Sequence, residues 1–212
     1  MAADGRELVT RVEQVGGFIL AGGESSRMGR DKALLELEGV ALIVRTSRLV
    51  ESAGHRCTIV GDSVRLEGLE LLVIEDEFPG AGPLGAIATA LRASEAEWNL
   101  IVACDLPYLT REWLEFLIGR AVRSDADAVL PMNERGAEPL CAVYRKRADG
   151  AIRAALDRGV RKVTDGLADV RIEFIEPREW KGFDSDGLLF KNMNSPADYE
   201  EAKTRLDGRL KR

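Results

Sequence analysis

The chain has 212 residues, enough for one domain with a continuous core and short of what two full domains usually need. Hydrophobic residues make up 45% and charged residues 31%, the balance of an ordinary soluble globular protein. A net charge of −6 argues against nucleic acid and anionic membrane as partners, so an anionic ligand must be drawn in by a local cationic site.

Met1 to Gln14 is polar and of mixed charge, and reads as a flexible lead-in to a single domain over 15–212. The apolar run that follows, Phe18 to Ala21, is too short for a signal core or a bilayer span, so neither is expected. Gly17 to Leu20 predicts a strand buried on both faces. Ala41 to Ala53 carries apolar residues at helical spacing and stops at Gly54, a good residue beyond a helix end. Thr58–Val60 and Leu71–Ile74 predict the second and third strands. Pro83 opens a helix to about Ala93, with Leu84, Ile87, Ala88 and Leu91 on one face.

Leu100–Ala103 predicts a fourth strand. Thr110 caps a helix to about Val122 that turns Trp113, Leu114, Leu117 and Ile118 inward. Further strands are expected at Ala128–Leu130 and Leu140–Tyr144, a helix at Asp149–Leu156, and late strands at Arg171–Ile175 and Leu188–Asn192. Ser195 to Asp198 is a capping box with proline at the first helical position, and opens a final helix. Strand–helix alternation of this kind predicts an α/β fold with a mostly parallel central sheet flanked by helices. Such sheets bind ligands beyond the carboxyl ends of their strands. Gly22-Gly23, Asp62, Asp76 and Asp105 all follow predicted strands.

The three cysteines, Cys57, Cys104 and Cys141, lie in apolar runs without metal-ligand spacing. They read as reduced core residues of a cytoplasmic protein. The single histidine, His55, falls between a helix end and a strand and is expected at the surface, without an acid–base role. Trp98, Tyr108, Trp113 and Phe116 read as core or rim packing.

The segment from Leu20 to Lys32, LAGGESSRMGRDK, carries the most chemistry. Its glycines allow a tight turn and a close backbone approach, and successive N–H groups there form a nest for anions. Arg27 and Lys32 add positive charge at the same end. The pattern is not a P-loop, because Arg30-Asp31 follows Gly29, and it has no dinucleotide fingerprint.

The pattern L-A-G-G-x-x-x-R-M-G-x-D-K resembles the signature loop of nucleotidyltransferases that activate small phosphorylated compounds with a nucleoside triphosphate. Within that group the chain is most similar to molybdenum cofactor guanylyltransferases. Later segments continue the resemblance in order, from about Gly16 to Leu206. They are Gly80-Ala81-Gly82-Pro83-Leu84-Gly85, Ala103-Cys104-Asp105-Leu106-Pro107, Glu138-Pro139-Leu140 through Tyr144, Gly159 to Val163, and Asn192-Met193-Asn194-Ser195-Pro196.

The resemblance implies a Rossmann-like nucleotidyltransferase fold and transfer of GMP from GTP to the phosphate of molybdopterin, with Mg2+ and release of pyrophosphate. It implies Asp105 as the metal ligand and a nucleotide contact, Lys32 on the phosphates, and Arg27 sharing that task or pinning the loop. Leu20, Ala21 and Gly22 would meet the guanine end. Glycine rather than alanine at Gly22 favours GTP over CTP, since removing a methyl leaves room for a purine. Asp76 would accept from the guanine N1–H and exocyclic amine.

Some family members have asparagine where this chain has Gly61-Asp62, and no role is carried over to that position. Asn192 and Asn194 either hold the pterin or form a turn. Arg161 and Lys162 either meet anionic substrate groups or are a solvated pair. The reaction needs no general base, because an existing phosphate oxygen attacks, and catalysis reduces to positioning and charge neutralisation.

The resemblance also implies transient contacts with other proteins of cofactor biosynthesis. The rival readings are a cytidylyltransferase on the same scaffold, acting on molybdopterin or a sugar-like phosphate, and a non-catalytic nucleotide-binding module. The module would lack the metal ligand or the phosphate lysine, and the chain has both Asp105 and Lys32.

Overall fold

The computed structural model describes residues 15–22 and 31–207. The expected lead-in, and Gly23 to Arg30 of the glycine-rich loop with Arg27 among them, lie outside the described residues. The main sheet has the order β10-β7-β9-β6-β1-β4-β5, with β8 paired to β7. These strands are β1 (Val15–Leu20), β4 (Cys57–Val60), β5 (Val73–Ile74), β6 (Trp98–Ala103), β7 (Ala128–Asn133), β8 (Gly136–Ala137), β9 (Cys141–Arg145) and β10 (Ile172–Ile175). β1 runs parallel to both neighbours, and only β9 and the short β8 are antiparallel to theirs. The expected mostly parallel sheet is therefore present, with one reversed strand wedged between β6 and β7.

Side chains of β1 alternate between two cores, as the period of two in a strand requires. Val15 and Ile19 join a cluster with α1 (Leu42–Ser52) and α3 (Arg111–Ala121), through Ile43, Val50, Trp113, Leu114 and Leu117. Phe18 and Leu20 join the opposite cluster with α2 (Gly82–Ala93) and α4 (Asp149–Asp157), through Leu84, Ile87, Leu91, Ile152 and Leu156. Two helical layers thus sandwich the sheet. Every β6 residue is buried, as expected of a central strand covered on both faces.

Thr110 caps α3 by accepting from the Trp113 N–H at 3.2 Å. The Ser195 hydroxyl accepts from the Asp198 N–H at 3.2 Å, and the Asp198 carboxylate accepts from the Ser195 N–H at 2.9 Å. That reciprocal pair opens α6 (Pro196–Asp207), as its sequence predicts. A hairpin of β2 (Glu36–Leu37) and β3 (Val40–Ala41) was not legible in the apolar pattern. It buries Leu37 against Met193, Ala202 and Leu206.

Three expectations are corrected. Leu188–Asn192 forms no strand: Leu189 and Phe190 are buried as a loop, with the Leu188 and Leu189 N–H groups held by the Asp184 carboxylate at 2.8 and 3.1 Å. The same apolar content that predicts a strand here fills the α3 side of the core around Trp113 and Trp180. The third strand is only Val73–Ile74; Leu72, 61% exposed, stands before it and meets β4 through its carbonyl alone, which accepts from the Ile59 N–H at 2.8 Å. His55 is 5% exposed, not a surface residue, because its Nδ1 lies 3.0 Å from the Val15 carbonyl beneath the start of β1. Burial holds its pKa below the usual imidazole value.

The cysteine reading stands as to packing. All three thiols are buried and unbridged, and burial pushes each up to about 12. Trp98, Tyr108 and Trp113 are buried, and Phe116 packs tilted against Trp113. Among the described residues, no helix is long and apolar enough to cross a membrane.

Candidate active site

A cavity of about 780 Å³ opens beyond the carboxyl ends of β1 and β6, where a mostly parallel sheet places its ligands. Its centre is a pair of charges. Asp105 stands two residues past β6, and Lys32 begins a short 3-10 turn at Lys32–Leu34. The Lys32 Nζ is 3.7 Å from the Asp105 carboxylate, and both side chains are about one-fifth exposed. Burial raises the Asp105 pKa above the ordinary carboxylate value, and the Lys32 charge works against that rise. The carboxylate is thus kept in a poorly hydrated spot where a cation gains most by approaching it.

Each of these two residues is held from behind. The Asp105 carbonyl accepts from the Met193 N–H at 2.9 Å, which ties the β6 end to the Asn192–Asn194 segment. Lys32 Nζ donates to the Asn194 Oδ1 at 2.8 Å. The turn that carries Lys32 is capped by Asp31, whose carboxylate accepts from the Ala33 N–H at 3.1 Å. The other oxygen of Asp31 accepts from Arg65 Nε at 2.9 Å and also pairs with the Arg65 terminal nitrogen. Arg65 is itself set by Asp62, which accepts from the Val64 and Arg65 N–H groups at 2.9 and 3.1 Å. Asp62 therefore has a turn-forming role.

On the β1–β4–β5 side the cavity is lined by Leu20, Ala21, Gly22, Arg65 and Asp76. A methyl at Gly22 would meet no atom of the described residues within 4 Å, which leaves space among them beside the strand end. Asp76 is fixed through one oxygen, which accepts from the Phe78 N–H at 2.9 Å and the Thr89 hydroxyl at 2.8 Å. Gly80 and Gly82 take positive φ values of 79° and 68°. This second glycine turn aims the start of α2 at the cavity, where Gly80, Gly82, Pro83 and Ala86 form a wall. A helix N-terminus there favours negative charge.

On the β9 side the walls are Glu138, Pro139, Leu140, Val163 and Asn192. The Leu140 carbonyl accepts from the Ala103 N–H at 2.8 Å, which lays this loop beside the β6 end. Val163 comes from the short helix α5 (Val163–Gly166).

Leu20, Ala21, Gly22, Lys32, Asp76, Asp105 and Asn192 are thus brought to one cavity, with Asn194 on Lys32. Arg161 is not: it is exposed, and its guanidinium donates to the carbonyls of Leu156 and Val160 at 3.2 and 2.9 Å. Asp31 and Arg65 had no assigned role in the sequence reading. Nothing in the spacing of Arg65 from the loop announces their contact across the sheet. Glu138 stood in a matching segment without a role. Its signal was a carboxylate followed by proline at the mouth of an apolar strand.

Residues 17–170 match the MobA-like NTP transferase domain. The chain belongs to the MobA-like NTP transferase family. It is 41% identical over 197 residues to a probable molybdenum cofactor guanylyltransferase of Mycobacterium bovis, a match covering 88% of this chain and 97% of that one. It superposes on a molybdopterin-guanine dinucleotide biosynthesis protein A from Archaeoglobus fulgidus with a TM-score of 0.79 and 27% identity. That match covers 91% of this chain and 99% of the other. A 2-C-methyl-D-erythritol 4-phosphate cytidylyltransferase from Thermus thermophilus shares the fold at 14% identity and a TM-score of 0.65, covering 90% of this chain and 98% of that one. Family membership makes the chain a nucleotidyltransferase and makes the cavity its candidate active site.

Proposed function

We propose that this enzyme transfers GMP from GTP to the terminal phosphate of molybdopterin and releases pyrophosphate. The observation that carries the reading is the Lys32–Asp105 pair between two differently built halves of one cavity. Its mycobacterial and archaeal relatives, named for guanylyl transfer and molybdopterin-guanine dinucleotide synthesis, support the choice of substrates.

In this reading Leu20, Ala21 and Gly22 border the guanine through their backbone, and Asp76 accepts from its N–H edge. Lys32 draws in the phosphates and offsets the charge that gathers on pyrophosphate as it leaves. A phosphate oxygen of the acceptor forms the new bond to the α-phosphorus as the α–β bridging bond breaks. No side chain needs to remove a proton, which agrees with a cavity lined by no histidine. Asn194 keeps the Lys32 ammonium in place, and Asn192 lines the acceptor half. Arg27 of the glycine-rich loop adds charge to the phosphates or pins the loop.

The lining fits Mg2+. Among the described residues that line the cavity, Asp31, Asp76, Asp105 and Glu138 are acidic against two cations, Lys32 and Arg65, and Asp31 already holds Arg65. A triphosphate entering such a wall needs added positive charge. Asp105 offers the hard oxygen that Mg2+ takes alongside phosphate oxygens, with few other protein ligands. When bound, the ion supplies charge neutralisation at the phosphates. Buried, unbridged thiols support a reducing cytoplasm as its place of work.

The test is pyrophosphate release from GTP, CTP and ATP with Mg2+ and molybdopterin, paired with calorimetry of each nucleotide. Turnover with GTP alone is expected. Turnover with CTP would keep the mechanism and move the substrate to the cytidylyl branch. Binding of none of the three would end the reading.

A further inference from the structure

Two carboxylates flank the Lys32–Asp105 pair, one on each side of β6. Asp76 follows β5, beyond β1 and β4, whereas Glu138 lies in the loop that enters β9. They are built alike. One oxygen of Asp76 is fixed by Phe78 and Thr89, and one oxygen of Glu138 by the side-chain amide of Asn133. Neither second oxygen takes a hydrogen bond from a described residue. Both side chains are half-buried and line the cavity.

The backbone of this loop has bonds of its own beside the Asn133–carboxyl contact. The loop is held by its backbone: the Glu138 N–H donates to the Pro131 carbonyl at 2.8 Å, and the Glu138 carbonyl accepts from the Cys141 N–H at 3.2 Å. Burial pushes the carboxyl group's pKa up, the Asn133 amide and the Arg135 charge work against that rise, and the charge of Asp105 adds to it. A half-buried carboxylate beside another carboxylate weakens a fold, and such groups concentrate where a ligand is met. A carboxylate clamped by one oxygen presents a fixed acceptor edge. It suits a planar ligand with two adjacent N–H donors.

Guanine carries such an edge, a ring N–H next to an exocyclic amine. A pterin carries the same edge, because both contain a 2-amino-4-oxopyrimidine ring. We propose that Glu138 is the specificity-determining residue of the acceptor half, its carboxylate accepting from the ring N–H and 2-amino group of the pterin. The cavity then reads two different substrates with one kind of device, Asp76 on the nucleotide and Glu138 on the acceptor. The inference rests on the acceptor being a pterin.

The probes are 6-hydroxymethylpterin and 6-hydroxymethyllumazine, which has an oxo group in place of the 2-amino group. Each is titrated by its own fluorescence into the full chain with GTP and Mg2+. The wild type is expected to prefer the pterin by about tenfold to a hundredfold, the range for hydrogen bonds to a charged group. E138Q should lose that preference while keeping wild-type GTP affinity and Mg2+ dependence, with a melting temperature no lower than the wild type's. E138D, which keeps the carboxylate, should retain a preference and carries the test if E138Q does not fold.

A preference that survives in E138Q overturns the proposal, as does a wild type that does not discriminate. An E138Q that weakens Mg2+-dependent GTP binding with the pterin preference intact also overturns it, and makes Glu138 a metal ligand. In each of those cases guanylyl transfer to molybdopterin by the wild type still stands or falls separately. Absence of that transfer sinks the functional reading itself.

Discussion

The two halves of the cavity are built by different means. The nucleotide half comes from strand ends and tight turns close to them: Leu20 to Gly22 after β1, Asp76 after β5, and the Gly80–Gly82 turn into α2. The acceptor half comes from three separate late segments, at Glu138, Val163 and Asn192. Parallel strands impose the first arrangement, since their carboxyl ends lie on one edge and their loops must meet there. The second depends on reversing β9 between β6 and β7, which swings Glu138 and Leu140 back to the same edge. A nucleotide site follows from the architecture, whereas an acceptor site is added to it.

If the Lys32–Asp105 pair is the shared centre, removing either residue should disable both halves together. Lys32→Ala and Asp105→Asn are each expected to slow pyrophosphate release by about 10²–10³-fold at saturating substrates, the scale for losing one preorganised charge partner. Stopped-flow or coupled-enzyme assays read this directly. A loss confined to the KM of one substrate would mean the pair belongs to one half alone.

Asp76→Asn should separate the halves. An amide presents one acceptor and two donors where the carboxylate accepts throughout, so one guanine N–H loses its partner. The GTP-over-ATP preference in kcat/KM is expected to fall by about tenfold or more, with the acceptor KM unchanged. An equal change in both KM values would show that the two sides are coupled.

This contrast also explains what the sequence could reveal. Gly22, Asp76 and Asp105 could be placed because each follows an apolar run that reads as a strand, whereas their roles, and that of Lys32, come from the resemblance of the loop and strand ends to nucleotidyltransferases. Asp31 holds Arg65, 34 positions away, across the sheet end, and no local period encodes that pairing. Leu188–Asn192 misled because burial, not strand geometry, dictates its apolar content. Arg161 looked like a substrate contact by charge alone. Its guanidinium instead donates to the carbonyls of Leu156, in the last turn of α4, and Val160, just beyond it.

A smaller change can strain the nucleotide half from behind. A Cβ at Gly85 would lie 2.8 Å from the Phe78 Cβ, 2.9 Å from the Ala81 Cβ and 3.0 Å from the Phe78 carbonyl oxygen. None of these atoms ends a flexible side chain. Gly85→Ala should therefore cost about 1–3 kcal/mol in urea unfolding, as overpacking does. Phe78 also donates its N–H to Asp76, so the GTP KM should rise while the acceptor KM holds. Unchanged stability would show that the turn can yield.

The smallest expected effect concerns stability and sharpens the role of the centre. Burial raises the Asp105 pKa, so the native state holds its proton at a pH where the unfolded chain has released it. More protons bound in the native state means that stability falls as pH rises between the unfolded and folded values. Above the folded value the charged carboxylate is a standing penalty, which Lys32 relieves only in part. Asp105→Asn should therefore melt higher than the wild type at neutral pH in the absence of nucleotide and metal. The gap should close as pH falls through the raised pKa and vanish below the ordinary carboxylate value. Scanning calorimetry across that range measures it, and an asparagine variant that melts lower at neutral pH would show that the ion pair outweighs burial. A gain in stability alongside the lost turnover would mark Asp105 as a residue the fold tolerates for its chemistry.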